Sequence, residues 1–168
     1  MYKYLIYFLT FSFFGWLVEE IFCFIKNGKI VNRGLCRGPV CPIYGIGICL
    51  SALLLSRIDN FLLLALLSMA VATVLELVVG LFSDRVLGKR LWDYRRERGN
   101  ILGYICPRFS VIWGLLLATV IKSLPLFDPF ITLMSSPLLS VLVSALFALI
   151  LIDAESSVLR SVSKNQTK

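Results

Sequence analysis

The sequence predicts an all-α polytopic membrane protein, a bundle of five transmembrane helices with the N-terminus outside and the C-terminus cytoplasmic. Three observations predict it. Of 168 residues, 58% are hydrophobic and 16% are charged, whereas a soluble domain is nearer half apolar and a quarter charged. The apolar residues fall in long runs, and a bilayer core of about 30 Å is crossed by roughly 20 helical residues. Lys and Arg concentrate on alternate connections, the asymmetry that orients membrane helices.

The first run, Tyr4–Ile25, is longer than the apolar region of a cleaved signal, carries Glu19 and Glu20, and is not followed by a small-x-small site, so it reads as a span. The second, Cys41–Ser56, and the fourth, Cys106–Ile121, are short. Both open on Cys-Pro, and proline suits a first helical turn. The third is Phe61–Phe82 and the fifth Thr132–Ile152. Between the last two, Pro125 and Pro129 mark a tight outer turn over Ser123–Ile131. The chain thus reads as one transmembrane domain, 1–153, followed by a polar cytoplasmic tail, 154–168, that frays.

Loop one (Lys26–Val40) holds four basic residues, loop three (Ser83–Ile105) six, and the tail three. The opposite side holds only Lys3, Arg57 and Lys122, and Arg108 sits just inside the fourth helix. Thirteen against three places loop one, loop three and the tail in the cytoplasm of a multi-pass protein of the cell (plasma) membrane. The net charge of +7 therefore points to anionic lipid headgroups, not to nucleic acid.

Histidine is absent, which excludes Ser-His and Cys-His catalysis. The five cysteines form no zinc-like pairing, and three lie near cytoplasmic loops, so neither a metal site nor a disulfide framework is expected. No Gly-x-x-x-x-Gly-Lys-Ser/Thr loop occurs, so the chain is not itself an ATPase, and no cofactor is expected.

Ionisable groups within a span are costly and are functional candidates. Glu19 and Glu76 each lie about two turns before a basic loop, on helical faces of small, partly polar residues: Ser12, Gly15, Trp16 and Cys23 around Glu19; Ser68, Ala72, Thr73 and Gly80 around Glu76. Glu20 points about 100° away, towards the headgroups. The two carboxylates either line a polar pocket at the cytoplasmic interface or pair with loop arginines and lock the bundle. Loop one, Asn32-Arg33-Gly34-Leu35-Cys36-Arg37-Gly38-Pro39, is dense in glycine and proline. It reads either as an ordered or re-entrant element offering Arg33 and Arg37 to phosphate, or as a basic turn on anionic lipid. In loop three, Trp92 and Tyr94 suit the interface, and Asp93 lies among arginines that can pair with it. A loose parallel repeat relates Glu19, Asn32, Cys41-Pro42 and Tyr44-Gly45 to Glu76, Asn100, Cys106-Pro107 and Trp113-Gly114.

Several motifs occur in order. They are Phe14-Gly15-Trp16-Leu17-Val18-Glu19, Val31-Asn32-Arg33-Gly34, Gly38-Pro39-Val40-Cys41-Pro42-Ile43-Tyr44-Gly45, Leu75-Glu76 and Leu91-Trp92-Asp93-Tyr94. Asn100-Ile101-x-Gly103-Tyr104-Ile105-Cys106 and Arg108-Phe109-Ser110-x-x-Trp113-Gly114 complete the series. Together they resemble the putative ABC-transporter permease family (type IV, CmpB-like). Leu91 stands where that family has tryptophan, and Arg98-Gly99 where it has Pro-Phe. The resemblance implies a transporter permease component with no known substrate. The expected substrate-binding set is Glu19, Glu76, Asn32, Arg33, Arg37, Asp93, Tyr94, Asn100 and Arg108, with no catalytic residue assigned. Five helices are few for a complete path, so a homo-oligomer, an ATPase or another membrane subunit is the expected partner. The alternatives are an enzyme acting on phospholipid headgroups and a structural or regulatory subunit.

Overall fold

The computed structural model describes residues 2–28 and 35–166. Its elements are α1 (Tyr2–Asn27), α2 (Pro42–Leu55), α3 (Phe61–Arg85), α4 (Pro107–Ser123), a 3-10 turn (Leu124–Phe127), α5 (Asp128–Met134) and α6 (Pro137–Gln166). No strand occurs among the described residues. Four helical runs are long and apolar enough to cross a membrane: Tyr2–Ile25, Phe61–Arg85, Pro107–Met134 and Pro137–Ser163. The remaining apolar helix, α2, has 14 residues. At 1.5 Å per residue it rises about 21 Å, less than a hydrocarbon core.

Local chemistry explains the helix starts. Pro42 and Pro107 are the first residues of α2 and α4, where the missing N–H is no loss. The side chain of Asn60 caps α3, its Oδ1 accepting from the Leu63 N–H at 3.0 Å.

The expected outer turn at Ser123–Ile131 is corrected. Pro125 lies within the 3-10 turn and Pro129 in the first turn of α5, positions proline tolerates, so the chain stays helical to Met134. The break comes at Ser135-Ser136, before Pro137. The last helix accordingly begins five residues later than Thr132, and it does not end at Ile152. It runs through the polar segment to Gln166, where Arg160 donates to Ser156 Oγ at 2.6 Å, one turn back.

The chain divides into two compact units, Met1–Ile46 with Asp128–Lys168, and Gly47–Phe127. In the first, α1 packs on α6 through Phe8 and Phe147, whose rings meet edge-on at 5.4 Å. The Tyr2 hydroxyl donates to the Met134 carbonyl at 3.0 Å. The first turn of α2 lies so close to α1 that a Cβ on Gly45 would stand 2.6 Å from the Phe8 carbonyl oxygen. In the second unit, Leu55, Leu64, Ala65, Ala118 and Ile121 form a buried cluster. There α3 and α4 meet at Gly114, where a Cβ would lie 2.5 Å from Met69 Cβ and 2.7 Å from its Cα. Small residues permit such approach between membrane helices.

Candidate functional site

In the second unit, Glu76 is buried, 7% exposed, on the face of α3 shared with Ser68, Ala72 and Gly80. Tyr94 reaches back from the α3–α4 loop and its hydroxyl donates to Glu76 Oε1 at 3.0 Å. Its ring stacks on Phe109 at 4.6 Å, and the Trp113 indole donates to its oxygen. Burial, then the Glu76 charge, push the Tyr94 hydroxyl well above its ordinary range. Tyr94 therefore stays protonated and is held as the donor.

The loop that delivers Tyr94 is internally tied. The Tyr94 N–H donates to the Gly103 carbonyl at 2.9 Å and the Ile101 N–H to the Ile105 carbonyl at 2.9 Å. Asn100 Nδ2 donates to the Glu97 carbonyl at 2.8 Å while its Oδ1 accepts from the Gly103 N–H at 3.1 Å. Gly103 has φ +76°, and a Cβ there would lie 2.6 Å from Arg95 Cγ. At the loop's root, Asp84 accepts from Arg90 Nη2 and the Tyr104 hydroxyl, both at 2.7 Å, and the Arg90 guanidinium stands over the Tyr104 ring at 4.6 Å. The Trp92 indole donates to the Tyr104 carbonyl at 2.8 Å. Asp93 pairs with Arg95 at 2.5 Å and with Arg90 at 3.6 Å. Arg108 is mostly exposed and stands 3.6 Å from Glu97.

Hydrogen bonds from Arg95 hold the Asp93 carboxyl well below the usual carboxylate range. A depressed folded-state value means stability is present above the unfolded aspartate value, about 3.9, and is lost as pH falls through the folded one. The loop should therefore resist pepsin at pH 4 and become easier to cut as the pH is lowered further. Asp93→Asn should be cut already at pH 4. Equal cleavage of both proteins at pH 4 would show that this pairing does not hold the loop.

In the first unit, Glu19 on α1 is half-buried, and Tyr44 on the first turn of α2 donates to its Oε1 at 2.6 Å. Each expected intramembrane carboxylate thus accepts from a tyrosine hydroxyl. Glu20 departs from expectation. It is buried, 7% exposed, and its Oε2 has no hydrogen-bond partner. It lies on a turn-spaced column with Ser12 and Trp16, whose Oγ and Nε1 are likewise buried without partners.

Asn32 and Arg33 lie outside the described residues. Arg37 is exposed, and its backbone N–H and that of Gly38 both donate to Asp153 Oδ2 on α6, at 2.8 and 3.1 Å. Of the expected set, the structure brings together Glu76 and Tyr94, and it places Asp93 and Asn100 in the ties of the Tyr94 loop. Arg108 joins no carboxylate of α3. The sequence reading missed Asp153, the Tyr44–Glu19 bond and the Asp84–Arg90–Tyr104 group, and it directed Glu20 to the headgroups where the structure buries it. Only the Tyr44-Gly45 element of the loose repeat hinted at any of them.

Apolar helical runs with carboxylates set into them define an integral, multi-pass α-helical membrane protein. A family model described as Putative ABC-transporter type IV matches residues 6–158, and the chain belongs to that family. Comparison with curated proteins and with solved structures returned no match.

Proposed function

We propose that the chain is the permease component of a transporter in the plasma membrane, with the N-terminus outside, the C-terminus cytoplasmic and its polar site at the cytoplasmic interface. The observation that carries the reading is the pair of carboxylates, Glu19 and Glu76, each set in a long apolar helix and each accepting from a tyrosine hydroxyl. Such groups are expensive in a bilayer and mark substrate paths. The thirteen-to-three distribution of basic residues supports the orientation. Asn100, Asp93 and Tyr94 shape the cytoplasmic loop of the second unit. Arg37 is the exposed basic residue of the first unit proposed to meet anionic groups, and Arg108 that of the second.

The family membership supports an energy-coupling partner, because the chain carries no phosphate-binding loop of its own. Purification of the full tagged chain in mild detergent is expected to bring down an ATPase subunit and ATP hydrolysis. Glu76→Gln should keep that complex while lowering reconstituted activity about tenfold, a loss of function without a loss of binding. A chain that purifies free of any ATPase, with normal membrane content, would remove the permease reading.

A further inference from the structure

We propose that the corner where the α3–α4 loop enters α4 binds one anionic phospholipid, with Arg98 and Arg108 on its phosphate and the Ile101–Leu102 turn against its acyl chain. The inference rests on the reading of Arg108 as a residue that meets anionic groups, and it names the group.

Two contacts set the register of α3 against α4, and with it the depth of the corner. Gly114 lies against Met69, and Lys122 Nζ stands 3.6 Å from Asp59 Oδ1, beside the start of α3. From Met69, α3 runs sixteen residues on to Arg85, whereas α4 runs only seven from Gly114 back to Pro107. The end of α4 therefore falls about 14 Å short of the end of α3. The folded loop fills the difference. Tyr104 packs on Gly80, five residues inside α3, and the Tyr94 hydroxyl reaches Glu76. Arg108 is fourteen residues from Lys122, a rise of about 21 Å against a hydrocarbon thickness of about 30 Å. Tilt only shortens that rise. The Arg108 side chain is 69% exposed. A guanidinium bared to hydrocarbon is costly, so a headgroup meets it: the side chain extends towards the phosphate plane and the bilayer thins locally.

The chemistry of the corner fits a lipid. A Cβ on Gly99 would lie 3.3 Å from Pro107 Cδ, and Arg108 Nη1 stands 3.6 Å from Glu97 Oε2. Arg98, between Glu97 and Gly99, is thereby held near Arg108. It is exposed and, among the described residues, makes no ion pair. Two guanidiniums against one carboxylate leave a net positive charge, and arginine forks match phosphate oxygens. Beside them, the Tyr104 N–H donates to the Ile101 carbonyl at 3.0 Å across Leu102 and Gly103, whose φ values are +54° and +76°. Asn, Asp and Gly suit two successive positions of that kind. Leucine there is strained, yet Leu102 is 66% exposed beside Ile101 at 56%. The strain is tolerated to present an apolar side chain. At the same depth α3 exposes Val78 and Phe82. An apolar turn beside a basic corner suits a phospholipid, whereas inorganic phosphate would use the arginines alone.

The test titrates the full chain in detergent with phosphatidylglycerol, phosphatidylcholine and inorganic phosphate, and counts bound lipid by native mass spectrometry. Phosphatidylglycerol should bind about tenfold more tightly than phosphatidylcholine, and inorganic phosphate should not displace it. Arg98→Gln combined with Arg108→Gln should remove that preference, whereas Arg57→Gln, at an exposed position remote from the corner, should keep it. Leu102→Asn should weaken both lipids about threefold with the unfolding midpoint unchanged or raised, because asparagine suits the turn. An undiminished preference in the folded double variant, an equal loss in Arg57→Gln, displacement by inorganic phosphate, or parental binding by Leu102→Asn overturns the proposal. So does a soluble protein that occupies the corner and excludes lipid. Binding is read without an ATPase or transport, so its failure leaves the permease reading standing, and failure of the permease reading leaves the lipid result distinct.

Discussion

Gly114→Leu should abolish accumulation of folded protein, and Gly114→Ala should lower stability by about 3 kcal/mol or more, the upper end of overpacking costs. The reason is what the new atom meets. A Cβ at 114 would lie 2.7 Å from Met69 Cα and 2.9 Å from Met69 N, so it strikes the backbone of α3 and not the tip of a movable side chain. Relief requires α3 and α4 to separate, and their separation loosens Ala65 and Ala118 in the buried cluster. Gly47→Ala is the matched control. Its Cβ would come no nearer than 3.4 Å, to Leu75 Cδ2, the end of a flexible side chain. Alanine also favours helix over glycine by about 1 kcal/mol, so Gly47→Ala should be neutral or slightly stabilising. Thermal unfolding of the two alanine variants, followed by tryptophan fluorescence, separates them. Equal midpoints would show that the α3–α4 approach is not tight at Gly114.

Asp153→Ala should cost about 2–4 kcal/mol, because two backbone donors lose one shared charged acceptor and a hydrogen bond to a charged group contributes about 1.5–3 kcal/mol. The donors are the N–H groups of Arg37 and Gly38. The unfolding midpoint should fall by roughly 5–15 °C in a chain of this size. Asp153→Asn retains an acceptor oxygen and should recover most of that loss. A distinctive readout is alkylation of Cys36, which is buried beside this tether. In Asp153→Ala the segment comes free and Cys36 should react with iodoacetamide much faster than in the parent. Unchanged Cys36 reactivity would mean that the segment is held by other contacts.

Much of this architecture is legible in the residues. The apolar runs mark α1 and α3, and Cys-Pro pairs mark the starts of α2 and α4 because proline fits where helix N–H groups have no partner. The helical faces around Glu19 and Glu76 identify two spans that carry polar atoms. Other features are hidden for specific physical reasons. Pro125 and Pro129 read as a turn, yet each occupies a position where a helical chain accepts proline. The segment after Ala154 reads as a polar tail, yet it extends a helix already nucleated upstream. Tyr44 is 25 residues from Glu19, and Arg37 is 116 from Asp153, so no local spacing announces either contact. Glu20 is the clearest misreading. A 100° step from Glu19 turns a side chain away from one neighbour, but it does not say that another is absent.

The length of α6 has a further consequence for the lipid around it. The helix has 30 residues, about 45 Å, but Asp153, Glu155 and Arg160 fall in its second half. The uncharged part, 137–152, rises only about 24 Å, less than a typical hydrocarbon thickness of about 30 Å. A span shorter than the bilayer is met by local thinning or by flanking polar side chains that reach the headgroups. The Asp153 contacts with Arg37 and Gly38 tie the start of the polar half to the loop that docks on α1, so α6 cannot slide to relieve the mismatch without carrying that loop with it.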